Sequence, residues 1–305
     1  MKLKHELGYE GSMQCDLHVH TRHSGMCTVP VLNRVCRESY SEPQPVYEAL
    51  KRRGMDLVTV TDHDSIDAVE PLRKYPDFFL SEEVSAVSPD GTRLHVGVYD
   101  IQERHHNAVQ SRRDDLQALI AYLAEQQLFF TINHVYSSLT GARTDADFAL
   151  FARYFPGIEV LNGQIPSLCN RRAGDFAARF GKAAAGGSDA HTLASLGRTY
   201  TKVAGARTKR EFLDGLRAGQ ASLHGESGSY WKLTSAVWEL GCRMMREKPW
   251  TLFLLPLAGA IPVVTLANCM REFAFVHRWA SRTCAPHGRP IRAWVKAQRY
   301  PEAGV

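Results

Sequence analysis

The chain has 305 residues, 44% hydrophobic and 23% charged, a composition that fits a globular protein and excludes a disordered or collagen-like one. Seven cysteines, an odd count with no C-x-x-C pair, argue against a disulfide framework and for reduced thiols in a cytosolic setting. The net charge of +5 is uneven: residues 225–305 hold 11 of the 37 Lys+Arg and 5 of the 32 Asp+Glu, whereas 11 of the 13 histidines precede residue 225. The first part is therefore near neutral and lacks a basic stripe with interleaved aromatics, so no extended nucleic-acid partner is expected there.

The opening stretch MKLKHELGYEGSMQ has no apolar run of the kind a secretory signal needs, and none is expected. CDLHVH (15–20) reads as a strand, and PVYEALKRRG (45–54) as a helix stopped by Gly54. LVTVT (57–61), FFLSEEVSA (78–86) and LHVGVYD (94–100) read as further strands. RRDDLQALIAYLAEQQ has apolar residues at 116, 119, 120 and 123, which is helical spacing. LFFTINH (128–134), GIEVLNG (157–163) and KAAAGGSD (182–189) follow as strands, and TKREFLDGLRAG (208–219) as a helix. This alternation predicts a largely parallel sheet, and seven or so such units predict a barrel with its site at the C-terminal strand ends.

The histidines recur where those strands end. His18 and His20 are two apart on a strand, so both side chains project to one face and can meet one metal ion. Asp62 and His63 end the next strand, Glu82 and Glu83 interrupt an otherwise apolar or small one, and His95 and His134 follow. Asp189 and His191 repeat the two-residue spacing. So many nitrogen and oxygen donors at strand ends predict a polynuclear metal site. Converging without metal, these buried groups would destabilise the fold.

DLHVHT, TDHDS, EEVSA, HVGVYDI, NHVY, IEVLNG and GGSDAH, in this order over roughly residues 14–224, resemble the PHP (polymerase and histidinol phosphatase) family. The resemblance implies a distorted (β/α)7 TIM-like barrel holding two to three divalent metal ions, Zn, Mn or Fe, that hydrolyses phosphate esters. Carried over by motif, His18, His20, Glu83 and Asp189 bind the first metal. Glu83 bridges to a second, held also by His95 and His134, and His63 and His191 hold a third. The Glu-aliphatic-Ser/Thr pattern selects Glu83 over Glu82, and strand alternation agrees that only one of the pair points inward. One departure stands out. The family's Asp or His five or six positions after His20 is replaced by Gly25 and Met26. Either His23 substitutes, or the third site is weak or empty.

The implied reaction is hydrolysis of a phosphomonoester by a hydroxide bridging the metals, with Glu83 and Asp189 as catalytic ligands. Arg198 in LGRTYT is the first candidate for holding phosphoryl oxygens, ahead of Arg143 and Arg22, with a plain surface role open for each. Two other readings stay open: a nuclease-like phosphodiesterase on short nucleotides, and a non-catalytic, membrane-tethered binding module. Asp16 is expected to accept hydrogen bonds at the strand start, and Glu159 and Asn162 to hydrogen-bond the ligands from behind. His5, His277 and His287 are expected at the surface, and His105 and His106 in a solvated polar loop. His224 is open between structure and site. The expected partner is a small phosphorylated substrate.

The barrel is expected to occupy residues 1–228 and a basic extension residues 229–305. Residues 249–270 carry no charge, with Lys248 before and Arg271 after them. They are apolar enough to enter a bilayer. Arg243, Arg246, Arg278 and Arg282 suit anionic head groups, and Trp250 and Trp279 suit its interfaces. Pro256, Gly259 and Pro262 count against a simple span and for a hairpin dipping into one leaflet. A soluble appendage packed on the barrel is the competing expectation. In the anchored reading the barrel is cytoplasmic, at the inner face of the membrane.

Overall fold

The computed structural model describes residues 11–29 and 32–283; His5, His287, the side chain of Arg282 and the end of the basic extension lie outside the described residues. In chain order the elements begin with β1 (Ser12–Cys15), α1 (Pro43–Arg52), the short α2 (Val69–Leu72), β2 (Ser81–Val87) and β3 (Arg93–Tyr99). They continue with α3 (Glu103–Gln110), α4 (Leu116–Glu125), β4 (Phe129–Ile132), α5 (Asp145–Tyr154), β5 (Gly157–Asn162) and α6 (Ser167–Phe180). After β6 (Ala183–Gly187), β7 (Thr199–Ala204), α7 (Lys209–Arg217) and β8 (Ala221–Gly225), the extension forms α8 (Tyr230–Glu247), a 3-10 stretch (Pro249–Ala260) and α9 (Ile261–Thr283).

Local chemistry sets many of these limits. Asp115, Thr144, Thr208 and Ser229 each accept backbone N–H groups at the start of α4, α5, α7 and α8. Gly54 and Gly181 take the left-handed conformation just past the ends of α1 and α6.

The strands form two sheets, β2-β3-β4-β5-β6 and β1-β7-β8. Only β4-β5-β6 is parallel; β2-β3 and β3-β4 are antiparallel, as is the whole three-stranded sheet. The expectation of a largely parallel sheet is corrected here. The β2–β3 connection is a tight turn, closed by Ser88 N–H to the Thr92 carbonyl and Gly91 N–H to the Ser88 carbonyl, which leaves no room for a crossover helix.

Beyond Cys15, which ends β1, the stretches expected as strands at 15–20 and 57–61 carry single bridges instead of ladders, Val19 with Ala190 and Val58 with Phe78, and His63 just after them bridges to Glu83. Backbone hydrogen bonds run from Asp189 N–H to the His18 carbonyl, from Thr61 N–H to the Val19 carbonyl and from Glu83 N–H to the Asp62 carbonyl. The two segments thus lie between the edges β6 and β2 of the five-stranded sheet. Close approach at β6 requires a glycine, since a Cβ on Gly187 would lie 2.3 Å from the His18 nitrogen.

The largest core cluster lies under this sheet, and Val276 and Trp279 of α9 belong to it. Trp279 was expected at a membrane interface; it is buried instead, its ring 5.4 Å from that of Phe148. The first half of α9 and the 3-10 stretch behave oppositely: Leu252, Phe253, Leu255, Leu257, Val263 and Val264 are all exposed. Trp279→Ala is therefore expected to cost about 3–5 kcal/mol, and Trp250→Ala, at an exposed site, less than about 0.5 kcal/mol. Urea midpoints of the two variants check this; equal losses would mean that α9 is not docked as described.

Candidate metal centre

Glu83 is the third residue of β2, paired across the ladder with Gly97 of β3. Its Oε2 faces Nε2 of His18 at 3.1 Å, Nε2 of His20 at 3.4 Å and Nδ1 of His63 at 3.3 Å. Its Oε1 faces Nδ1 of His95 and Nε2 of His134, both at 3.4 Å. One carboxylate thus lies between two sets of imidazoles, a different set at each oxygen. Asp189 Oδ1 closes the first set, 3.6 Å from His18 Nε2 and 3.3 Å from His20 Nε2. His191 joins beside it, with Nδ1 at 3.6 Å from the same oxygen. The structure brings together all eight residues expected as ligands: His18, His20, His63, Glu83, His95, His134, Asp189 and His191.

Glu82 is buried as well, but its side chain leaves on the other face of β2. It accepts from Nδ1 of His106 at 2.8 Å and from Nε2 of Gln110 at 3.0 Å, both on α3. His106 is therefore a partner of Glu82, where a solvated loop was expected. His105 is buried too, in a capping box with Gln102.

The donors are held from behind. Glu159 Oε1 lies 2.7 Å from His18 Nδ1, while its Oε2 accepts from His134 N–H at 2.8 Å and Asn162 Nδ2 at 3.0 Å. Asn162 Nδ2 also donates to Asp189 Oδ2 at 3.0 Å, and Asn133 Nδ2 to Glu83 Oε1 at 2.8 Å. Asp16 accepts from the backbone of His18, Ser188 and Gly197, tying the histidine segment to the end of β6. Burial pushes its carboxyl up to about 6. His134 and Asp189 both adopt positive φ, 33° and 51°, just past the ends of β4 and β6. Such a conformation is rare for residues other than glycine and clusters at functional sites.

The electrostatics suit a cation. Burial, then the neighbouring His191, push His20 down to about 3. Its ring stacks 4.4 Å from that of His191 and 4.7 Å from that of His63. Burial opposes charge on His63, yet Glu83 and Glu38 bring it up to about 9. Burial likewise opposes ionisation of Glu83, yet His18, His95 and His63 hold its carboxyl well below the usual range. Nε2 of His20, Nδ1 of His63 and Nδ1 of His95 are buried and have no hydrogen-bond partner, although each points at Glu83. Orphaned imidazole nitrogens around a carboxylate fit divalent metal ions, which would satisfy all of them together. Three triads have donor atoms within 4.8 Å of one another: His18-His20-Asp189, His63-Glu83-His95 and His20-His63-His191.

Glu38 completes the third group and was not identified from the sequence. The loop after His20 folds back through a Met26–Arg37 bridge, and Glu38 N–H donates to the Gly25 carbonyl. This sets the Glu38 carboxylate 3.6 Å from His63 Nε2 and 3.5 Å from His191 Nε2. An acid thus reaches the place that Gly25 and Met26 leave without one. His23, the expected substitute, points away, with Nδ1 3.9 Å from Asp67.

The arginine candidates do not join the cluster. Arg198 donates through Nε to the Ala194 carbonyl and lies 3.7 Å from Glu226, turned toward α8 by those two acceptors. Arg143 is buried and holds the Arg93 carbonyl and the Thr140 hydroxyl. Arg22 pairs with Glu42. His224 bonds Ser222 and stacks on Tyr200 at the outer sheet, a structural place.

Glu159→Gln keeps the hydrogen-bonding shape but removes the charge that orients His18. Metal affinity is expected to fall about 10–100-fold with the fold unchanged, as measured by competition with a chromophoric chelator and by circular dichroism.

Fold and cluster together define a mixed α/β protein with a carboxylate-centred cluster of side chains that could hold metal ions. A family model described as PHP-associated matches residues 168–221, the region that carries Asp189 and His191. Over 54 residues, 18% of the chain, the sequence is 35% identical to an uncharacterized protein of Methanocaldococcus jannaschii, and the match spans 30% of that relative's length. PsfC of Pseudomonas syringae has a similar fold, with a TM-score of 0.54 at 17% identity, covering 77% of this chain and 99% of that one. The lesion-specific endonuclease PfuEndoQ of Pyrococcus furiosus gives a TM-score of 0.49 at 15% identity, covering 70% of this chain and 58% of its own. The PHP-associated match includes GGSDAH, one of the motifs that resemble the PHP family.

Proposed function

We propose that the chain is a metal-dependent hydrolase of phosphomonoesters. The observation that carries this reading is Glu83, whose two oxygens face separate sets of imidazoles with unpartnered nitrogens. His18, His20, Glu83 and Asp189 would hold one divalent ion, Glu83, His95 and His134 a second, and Glu38, His63 and His191 a third. Zn, Mn and Fe all suit nitrogen and carboxylate donors of this kind. When bound, such ions polarise phosphoryl oxygens and acidify water near neutral pH.

The residues of the chain do the rest. Glu159, Asn162 and Asn133 fix the donor atoms, and burial of the cluster keeps bulk water from competing with them. On this reading the five-stranded sheet and the two bridged segments constitute a distorted seven-stranded barrel. The nuclease-like and binding-module readings become outcomes of one experiment. Full-length protein is loaded with Mn²⁺ or Zn²⁺ and given p-nitrophenyl phosphate or bis(p-nitrophenyl) phosphate. Preferential, chelator-sensitive hydrolysis of the monoester is expected. Preference for the diester would favour the nuclease-like reading, and metal binding with no turnover of either would favour the binding module.

A further inference from the structure

Beside the metal centre lies a cavity of about 360 Å³, within the range of small-molecule sites. Glu38 and His191 form part of its wall, so it is continuous with the third group of metal-ligating residues. The remaining wall is mostly apolar, with Leu32, Val237, Met245, Leu254 and Leu257 contributed by the 27–38 loop, α8 and the 3-10 stretch. Among the described residues, Arg37, paired with Glu247 at 3.1 Å, is the one arginine or lysine on that wall. A sugar or nucleoside phosphate placed here would turn its hydroxyls toward carbon and leave them without partners. A hydrocarbon chain attached to a phosphate would match both ends.

The mouth of the cavity points the same way. Trp238, Leu255 and Leu257 line it and are 52%, 52% and 62% exposed, so it opens on the apolar face. Leu252, Phe253, Val263 and Val264 continue that face, a larger exposed apolar patch than scattered surface residues make. Pro249–Ala280 is long and apolar enough to cross a membrane, but both ends are tied to one globular body. Lys248 Nζ donates to the Val35 carbonyl at 3.0 Å, Ser138 N–H donates to Glu272 at 3.1 Å, and Trp279 is buried against Phe148. A segment held this way can lie on one leaflet but cannot span. Arg243, Arg246, Lys248 and Arg271 flank it, where anionic head groups would meet them.

We infer that the substrate is a phosphate monoester carrying a long hydrocarbon chain, taken from a bilayer on which the 249–270 face rests. The phosphate would sit at the metal-ligating cluster and the chain in the apolar cavity. The inference rests on the phosphomonoesterase reading above. Hydrolysis joins phosphorus to the oxygen of water, breaks its bond to the oxygen of the chain and leaves a proton on the released alcohol. No further reactant is required.

The test uses full-length, Mn²⁺-loaded protein with ethyl, butyl and octyl phosphate below micelle-forming concentrations. kcat/KM is expected to rise about two- to fourfold per added methylene, so that octyl exceeds ethyl phosphate by at least about fiftyfold. Leu257→Asp and Val237→Asp should each lower that octyl-to-ethyl ratio at least about tenfold. The protein should also sediment with phosphatidylcholine–phosphatidylglycerol vesicles, and Leu257→Asp should weaken this. Equal rates on all three esters would overturn the inference and leave the phosphomonoesterase reading standing. No hydrolysis of any ester by protein that retains its metal would defeat that reading instead. A dimer in solution that ignores vesicles would show that a second copy covers the apolar face, and would overturn the bilayer source.

Discussion

Glu83→Gln is expected to abolish hydrolysis, by about three orders of magnitude or more, and to reduce bound metal to at most one ion per chain. The amide keeps the shape but offers one acceptor where the carboxylate offers two. Whichever way it turns, an NH₂ group meets imidazole nitrogens that now face Oε1 or Oε2 at 3.1–3.4 Å. The loss removes the anion shared by the donor sets, worth several kcal/mol in a water-poor site. Glu82→Gln is the control. Gln at 82 can still accept from His106 and Gln110, so activity should stay within about threefold and stability fall by about 1–2 kcal/mol. Metal analysis of both purified variants, with turnover of p-nitrophenyl phosphate, decides between them. A reversal, with Glu82 essential and Glu83 dispensable, would mean that β2 is in the wrong register by one residue.

That pair also shows what a sequence displays openly. Strand alternation lets only one of Glu82 and Glu83 face inward, because side chains one apart leave on opposite faces, and the Glu-aliphatic-Ser/Thr pattern of the resemblance selects Glu83. The same rule sets His18 beside His20, and the motifs of the resemblance pick out all eight residues expected as ligands. Other features are written in local sequence away from the donor motifs. Ser88-Pro89-Asp90-Gly91 is a strong turn signal, and it makes β2–β3 a hairpin instead of a crossover pair. In α9, Glu272, Val276 and Trp279 recur at helical spacing and mark the buried stripe, while the apolar residues before them are exposed. Uniform hydropathy over 249–270 concealed that division. Arg198 was chosen because it follows the GGSDAH motif closely, but nearness along a chain does not fix where a long side chain points. Ala194 and Glu226 capture it on the far side.

Glu38 had no such signal. It lies in an irregular loop, 18 positions after His20, where neither the helical nor the strand period applies. Only the fold-back of that loop, through Met26–Arg37 and Gly25–Glu38, places it. Its carboxylate is held below the usual range: burial opposes its ionisation, but His191 and His63 outweigh burial. Without it, the Nε2 atoms of His63 and His191 would share no carboxylate, since Glu83 and Asp189 face their Nδ1 atoms. Glu38→Gln is therefore expected to remove one metal ion per chain and leave the ions at Glu83 in place. Turnover should fall about 100-fold, the scale for losing one charge-stabilising group from a site. His23→Ala should change neither metal content nor rate, because that ring faces Asp67. Elemental analysis and p-nitrophenyl phosphate turnover, run on both variants after equal exposure to Mn²⁺, give the comparison. Full metal content in Glu38→Gln, together with a lost ion in His23→Ala, would return the third site to the histidine and leave Glu38 a bystander of the loop.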